Sequence, residues 1–258
     1  METQYCRVEF KPLVQVPVPQ YTEEEHGTWE LLIQKQFSLM PGRACDEFIE
    51  GLRRLDLPRK QIPKLIDVSK RIESFTGWKL LRVDGLVHPR DFFKLLSQRI
   101  FPSTDFIRKR NELMYTPAPD MFHDLFGHTP LLTNPDFTEF FEAIGNVGAA
   151  ALAKYPEDHE VHLQLQRLYW FTVEFGLVKH SAGGMRAYGA GSVSSPQELE
   201  FCVGPDCRRH PFDVQITSNQ DYDIWHLQED VFVVESFADL GKKFRAWAAK
   251  HKILEKAA

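Results

Sequence analysis

His123 and His128, five positions apart in Pro119-Asp-Met-Phe-His-Asp-Leu-Phe-Gly-His-Thr-Pro130, and Glu174, in Leu168-Tyr-Trp-Phe-Thr-Val-Glu-Phe-Gly-Leu-Val178, are the side chains in this sequence best suited to hold a metal. Glu174 is the only acid in a stretch that is otherwise almost wholly aliphatic or aromatic. A carboxylate in so apolar a setting must be protonated, paired or metal-bound, because burying an uncompensated charge costs roughly several kcal/mol. Two neutral imidazoles and one carboxylate that leave coordination positions open form the facial set of non-haem Fe(II) oxygenases. The alternative is that both histidines are ordinary polar residues at a helix end, which is how His162, His180 and His226 are read.

Five positions on a regular α-helix separate two side chains by about 140°. One ion therefore requires the helix to end or bend between His123 and His128, and Gly127 and Pro130 would supply that interruption. His128 is then expected to be a turn residue swung back beside His123. The zinc-protease pattern is different: its histidines lie four apart with Glu directly after the first, where this chain has Asp124.

The elements that must position these residues are mostly helical. Thr22-Glu-Glu-Glu25 is a capping box opening a helix with Trp29, Leu32, Ile33, Phe37 and Met40 on one face. A helix over 45–55 is expected to turn Phe48, Ile49 and Leu52 inward, and Pro63 to start one carrying Leu65, Ile72 and Phe75 towards Gly77. Pro89 does the same for 91–100, and Asn134-Pro-Asp136 caps a helix running to Gly148 with Phe137, Phe140, Phe141 and Ile144 inward. The stretch 160–179 reads as the most apolar helix, with Glu174 inside it, and 237–251 as the last. Runs at 79–83, 212–216 and 231–234 read as strands, too few for a large sheet. The expected fold class is mainly α with a small β element (α+β), a single compact catalytic domain over 21–258 behind an N-terminal extension, 1–20.

Composition narrows the function. With 43% hydrophobic and 26% charged residues over 258 positions, the chain has the balance of a globular protein rather than a disordered one. A net charge of -5 argues against a nucleic-acid surface. The opening lacks the apolar core of a signal peptide and no run reaches membrane-span length, so a cytoplasmic protein without membrane contact is expected. Cys6, Cys45, Cys202 and Cys207 are too scattered for a disulfide framework and are read as reduced; Cys202 and Cys207 would need two more ligands to bind zinc.

Three segments carry a family resemblance: Tyr115-Thr-Pro-Ala-Pro-Asp-Met-Phe-His-Asp-Leu-Phe-Gly-His-Thr-Pro130, Leu168-Tyr-Trp-Phe-Thr-Val-Glu-Phe-Gly-Leu177 and Ala187-Tyr-Gly-Ala-Gly-Ser-Val-Ser-Ser195. In this order, and within a likeness running over about 21–244, they resemble the signature segments of the tetrahydropterin-dependent aromatic amino acid hydroxylases, the chain being most similar to the bacterial type. The resemblance implies Fe(II) held by His123, His128 and Glu174, tetrahydrobiopterin or a related tetrahydropterin as cofactor, and dioxygen and a free aromatic amino acid as reactants.

It also implies roles for further residues. Arg108 would receive the substrate carboxylate, since two parallel N–H donors match two oxygens. Thr116 and Ser194 would meet the amino acid backbone, Trp170 and Phe175 would lie near its ring, and Gly191 and Glu198 would complete the substrate site. Gly85, Leu86, Val87 and Phe92 would cradle the pterin, with Asp124 and Tyr169 between pterin and iron. Without the resemblance, the aromatic residues would be read as core and Asp124 as an orienter of its neighbouring histidine.

The chain departs from the family where Ala118 stands in place of a frequent Glu, which removes that acid's salt bridge. It is expected to have no separate regulatory domain and no C-terminal heptad tail, hence to be a monomer. The substrate expected is phenylalanine. Trp170 leaves little room for an indole, and Ile224 in Asp221-Tyr-Asp-Ile-Trp225 falls where tyrosine hydroxylases carry an acid, unless Asp223 is the true equivalent. Tryptophan, tyrosine or broad-specificity hydroxylation are the alternatives within the family; outside it stand a zinc hydrolase and a non-catalytic protein that binds an aromatic amino acid or pterin.

Overall fold

The computed structural model describes residues 5–113, 119–156 and 158–254. Helix α1 (Glu23–Leu39) opens on the expected capping box: the Thr22 hydroxyl accepts from the Glu25 N–H, and the Glu25 carboxylate accepts the Thr22 N–H at 2.7 Å. Helix α2 (Asp46–Leu55) buries Phe48 and Leu52 but leaves Ile49 41% exposed, not inward. Helix α3 (Leu65–Thr76) begins after Lys64 rather than at Pro63, and its Phe75 is exposed, with the Arg54 guanidinium 5.3 Å above the ring. Both misplaced residues lie at the edge of an apolar stripe, where spacing alone does not say whether a neighbouring element covers them.

Strand β1 (Lys79–Arg82) pairs in parallel with β2 (Ile100–Ser103), in register from Lys79↔Ile100 to Arg82↔Ser103. Helix α4 (Pro89–Leu96), which connects them, is shorter than expected. Arg99 adopts a left-handed φ of 58°, which ends the turn and delivers Ile100 to the strand. Helix α5 (Pro135–Lys154) is capped by Asn134, whose side chain accepts from the Phe137 N–H at 3.0 Å. It continues past Gly148, the residue expected to end it, because the glycines are seats for α4. A Cβ on Gly145 would lie 2.3 Å from Ser97 N, and one on Gly148 2.4 Å from the Phe93 ring.

Helix α6 (Glu160–Tyr169) stops well short of 179 and passes into a π-helical turn, Trp170–Glu174. Strands β3 (Leu177–Lys179) and β4 (Met185–Ala187) follow, then α7 (Ala190–Ser194), α8 (Pro196–Val203), β5 (Arg208–Pro211), α9 (Val214–Thr217), β6 (Asp230–Val234) and α10 (Phe237–Lys250). The four strands form a sheet of order β4-β3-β6-β5, antiparallel at β3/β4 and parallel elsewhere. The strand expected at 212–216 is displaced to β5, because the Asp213 carboxylate accepts from the Gln215 and Ile216 N–H groups and starts α9 instead. Helix α10 packs onto α5, with Phe140 edge-on to Phe244 at 5.6 Å. The result is the expected helix-dominated α+β domain, with the metal-ligand candidates drawn from its centre.

Candidate metal centre

His123–His128 is itself a π-helical turn. Its i→i+5 closure brings side chains five positions apart onto one face, so the helix does not end at Gly127, and His128 is a helical residue rather than a turn residue. His123 Nε2 lies 3.0 Å from His128 Nε2. Glu174 Oε1 is 3.2 Å from His128 Nε2, and Oε2 is 3.5 Å from His123 Nε2. All three donors fall within 4.8 Å of one another, a compact two-nitrogen, one-carboxylate set that fits Fe(II). Glu174 ends the second π-turn, where the Phe175 N–H reaches Trp170 O at 2.9 Å. The start of α7 wedges these turns together: a Cβ on Gly189 would lie 2.3 Å from Glu174 O, and one on Gly127 2.9 Å from Ala190 O.

The protein prepares these ligands. Ser194 Oγ is 3.1 Å from His123 Nδ1, and with the Nδ1 proton donated to that hydroxyl, Nε2 keeps its lone pair for a metal. Burial lowers the His123 ring to about 4, against the opposing pull of Glu174, so the imidazole is neutral at pH 7. Burial alone would raise Glu174, but His128 and His123, with hydrogen bonds from His128 and Tyr169, hold it at about 2. A neutral His123 and an ionised Glu174 are protonation states that metal binding requires. The His128 ring packs against Phe101, with centroids 4.7 Å apart.

A cavity of about 200 Å³ opens onto the three ligands and is walled by Gly85, Leu86, Val87, Phe92, Asp124 and Tyr169. The structure thus brings all six pterin candidates to one wall system beside the metal set. Phe92 meets Tyr169 edge-on at 5.4 Å, and both rings line the cavity together with the 85–87 loop, a combination of aromatic surface and loop backbone that fits a planar heterocycle with a polar edge. Asp124 is buried, and its Oδ2 accepts from Thr104 N–H at 2.7 Å and Thr104 Oγ–H at 2.9 Å. Burial raises its carboxyl to about 7, partly offset by those bonds.

The substrate candidates lie elsewhere around the ligands. Arg108 is buried and forked onto Asp120, Nε to Oδ2 at 2.9 Å and Nη2 to Oδ1 at 2.8 Å. The same carboxylate accepts the Arg108 N–H at 2.8 Å and the His123 N–H at 3.1 Å, so it fixes both the arginine and the first turn of the metal-bearing segment. Trp170 is stacked on Tyr222 at 4.5 Å and tilted against Phe175 at 4.7 Å, and its Nε1 donates to Gln228 Oε1 at 2.8 Å. A Cβ on Gly191 would come within 2.6 Å of the Phe175 ring. Thr116 and Ala118 lie outside the described residues. Asp120, Thr104, Tyr222 and Gln228 were missed by sequence reasoning. Asp120 stands inside a quoted signature segment and a buried arginine needs an acid, but the partners of the other three are too distant in sequence to leave a pattern.

Glu198 accepts from the Gln228 N–H at 3.3 Å, and burial raises its carboxyl to about 7. The neighbouring Cys202 and Cys207 thiols are pushed up by burial to about 12 and about 11, so they carry no charge near neutrality. A raised folded-state value means the protonated form favours folding: this contribution is complete below about 4.5 and lost as pH rises through about 7. Glu198→Gln is therefore expected to flatten the fall in stability between pH 5 and pH 8. Urea midpoints at the two pH values check this, and an unchanged slope would remove Glu198 as its source.

Over residues 2–256 the chain matches the family profile described as biopterin-dependent aromatic amino acid hydroxylase. It is 44% identical over 227 residues to a phenylalanine-4-hydroxylase of Chromobacterium violaceum, covering 87% of this chain and 74% of that protein. A crystal structure of the Chromobacterium violaceum phenylalanine hydroxylase, with bound iron(III) and oxidised cofactor 7,8-dihydrobiopterin, superposes with a TM-score of 0.84 at 41% identity, covering 92% of this chain and 85% of that one. The apo structure of the cold-active phenylalanine hydroxylase of Colwellia psychrerythraea 34H gives a TM-score of 0.86 at 35% identity, covering 97% and 93%.

Proposed function

This chain belongs to the biopterin-dependent aromatic amino acid hydroxylases, and from that premise we propose that it converts phenylalanine to tyrosine, as an iron- and tetrahydropterin-dependent monooxygenase. The observation that carries the reading is the convergence of His123, His128 and Glu174 in the lining of the cavity walled by Gly85, Leu86, Val87 and Phe92. When bound there, iron and tetrahydropterin together supply dioxygen activation. The residues of the chain do the rest. His123, His128 and Glu174 hold the metal on one side and leave its other positions open, with Ser194 setting the His123 tautomer. Asp124 and Tyr169 line the same cavity as the cofactor wall and the ligands.

In this reading Arg108, preset by Asp120, receives the substrate carboxylate with the donors that the acid leaves unused, and Thr116 meets the backbone of the amino acid. Trp170, Phe175 and Gly191 shape the space for the ring, and Glu198 closes that side through Gln228. Phenylalanine is favoured over tyrosine because Asp223, the acid that could meet a phenol, lines a pocket with Phe171, Arg208 and Tyr222 and not the cavity of the metal ligands. Its Oδ1 accepts from the Trp225 N–H at 2.8 Å and its Oδ2 lies 2.6 Å from His226 Nδ1. A monomer in the cytoplasm belongs to the same proposal. The apolar residues of α10, Leu240, Phe244 and Trp247, are buried in the domain rather than available as an intersubunit seam, and among the described residues no helix is long and apolar enough to cross a membrane.

Competition among equal concentrations of phenylalanine, tyrosine and tryptophan tests the substrate, with iron, tetrahydropterin and oxygen uptake followed together. Phenylalanine is expected to turn over fastest. Faster tyrosine or tryptophan turnover would overturn the substrate assignment, whereas full activity with zinc and no pterin-dependent oxygen uptake would overturn the hydroxylase reading.

A further inference from the structure

We propose that the segment carrying Tyr5 and Cys6 is a clamp for the cofactor wall, holding both the 85–87 loop and the start of α4 in the arrangement that receives the pterin. The inference rests on the reading of that cavity as the pterin site. After β1, Val83 N–H is still tied to Ser103 O at 2.9 Å, but the chain then leaves the sheet. Gly85 has no atom within 4 Å of where a Cβ would stand, and Leu86 is 42% exposed. A glycine-containing loop without packing of its own has many conformations to lose when a ligand binds it.

The Tyr5–Cys6 segment supplies what the loop does not. Cys6 N–H donates to Leu86 O at 2.8 Å, the Cys6 thiol points to Gly85 O at 3.4 Å, and Cys6 pairs with Val87 as a parallel bridge. Among the described residues, this is the separate segment to which the 85–87 backbone is hydrogen-bonded. One residue earlier, the Tyr5 ring stands edge-on to His88 with centroids 4.9 Å apart. His88 is the cap of α4: its Nδ1 accepts from the Arg90 N–H at 3.2 Å and its carbonyl from the Phe92 N–H at 2.9 Å. Two adjacent residues thus brace both halves of the wall, the backbone of the loop and, through His88, the turn that presents the Phe92 ring. Such bracing lowers the ordering cost that binding would otherwise carry.

The full chain with its iron tests this through calorimetric binding of 7,8-dihydrobiopterin and amide hydrogen exchange. Cys6→Pro removes the N–H that Leu86 O accepts, and the dissociation constant is expected to rise about tenfold, with iron content unchanged. Exchange should quicken at 85–88 and not in loops remote from the cavity. Tyr5→Ala, which leaves the backbone bond intact, should give a smaller rise, and Cys6→Ser, which keeps the N–H and a hydroxyl, should bind as the parent does. Unchanged binding and unchanged exchange in Cys6→Pro would overturn the clamp, as would a loss in Cys6→Ser equal to that in Cys6→Pro. If the parent itself failed to bind 7,8-dihydrobiopterin, the cofactor reading would fall, while the exchange measurement, which needs no pterin, would still decide the clamp.

Discussion

His128→Ala is expected to strip the protein of stoichiometric iron and, with it, of hydroxylation. The substitution deletes a nitrogen 3.2 Å from Glu174 Oε1 and 3.0 Å from His123 Nε2, leaving one imidazole and one carboxylate to hold the ion. The loss in metal affinity should exceed the roughly tenfold to hundredfold typical of removing a partner that only orients a ligand. Ser194→Ala supplies that comparison, because it deletes the hydroxyl 3.1 Å from His123 Nδ1 and no ligand atom. Glu174→Gln, which keeps the size but loses the anion, should fall on the His128→Ala side. Metal analysis after gel filtration, paired with pterin-dependent oxygen uptake, ranks the three. Full iron and activity in His128→Ala would remove the set from the metal site, and equal losses in Ser194→Ala and His128→Ala would contradict the division between holding and orienting.

The two π-turns explain where this site was legible in the sequence and where it was not. Residue type pointed to His123, His128 and Glu174, since few other arrangements satisfy an acid in so apolar a run. Their geometry is hidden in the sequence, because the 3.6-residue period of an α-helix places positions five apart on different faces. A π-turn removes the contradiction without breaking the helix, and it has no composition of its own to betray it. The same period carries the expected α6 through 170–174 towards Lys179, although the chain there is winding differently to aim Glu174.

Elsewhere, local signals succeeded where their partners were near in sequence. Thr22 with Glu25, and Asn134 with the Phe137 N–H, are caps written within four residues, and both helices begin there. Asp213 is the same kind of signal, and its cap starts α9 although the β-branched Val214 and Ile216 that follow it read as a strand. Pairings across the fold left no such trace. The clasp of Gln228 on Trp170 joins residues 58 positions apart, and Gly148 was read as a stop because its neighbour Phe93 comes from another helix.

The Arg108–Asp120 pair carries the second large effect, and its two members should fail differently. Asp120 is fully buried, and burial would raise its carboxyl, but the hydrogen bonds and charge of Arg108 outweigh this and hold it below the usual carboxylate range. Asp120→Ala leaves a guanidinium in the interior without its counter-charge, a defect that typically costs about 3–5 kcal/mol. It also releases the His123 N–H, so stability in urea and iron content should fall together. Arg108→Lys keeps a cation near Asp120 but gives up the planar fork, and with it the paired donors for a substrate carboxylate. Its expected cost is about 2 to 4 kcal/mol in phenylalanine binding, seen as a steep rise in KM with iron still stoichiometric. The two patterns separate structure from recognition. Unchanged phenylalanine dependence in Arg108→Lys would leave the buried pair as a scaffold for His123 and take the arginine out of the substrate site, whereas a raised KM with intact iron would assign it both tasks.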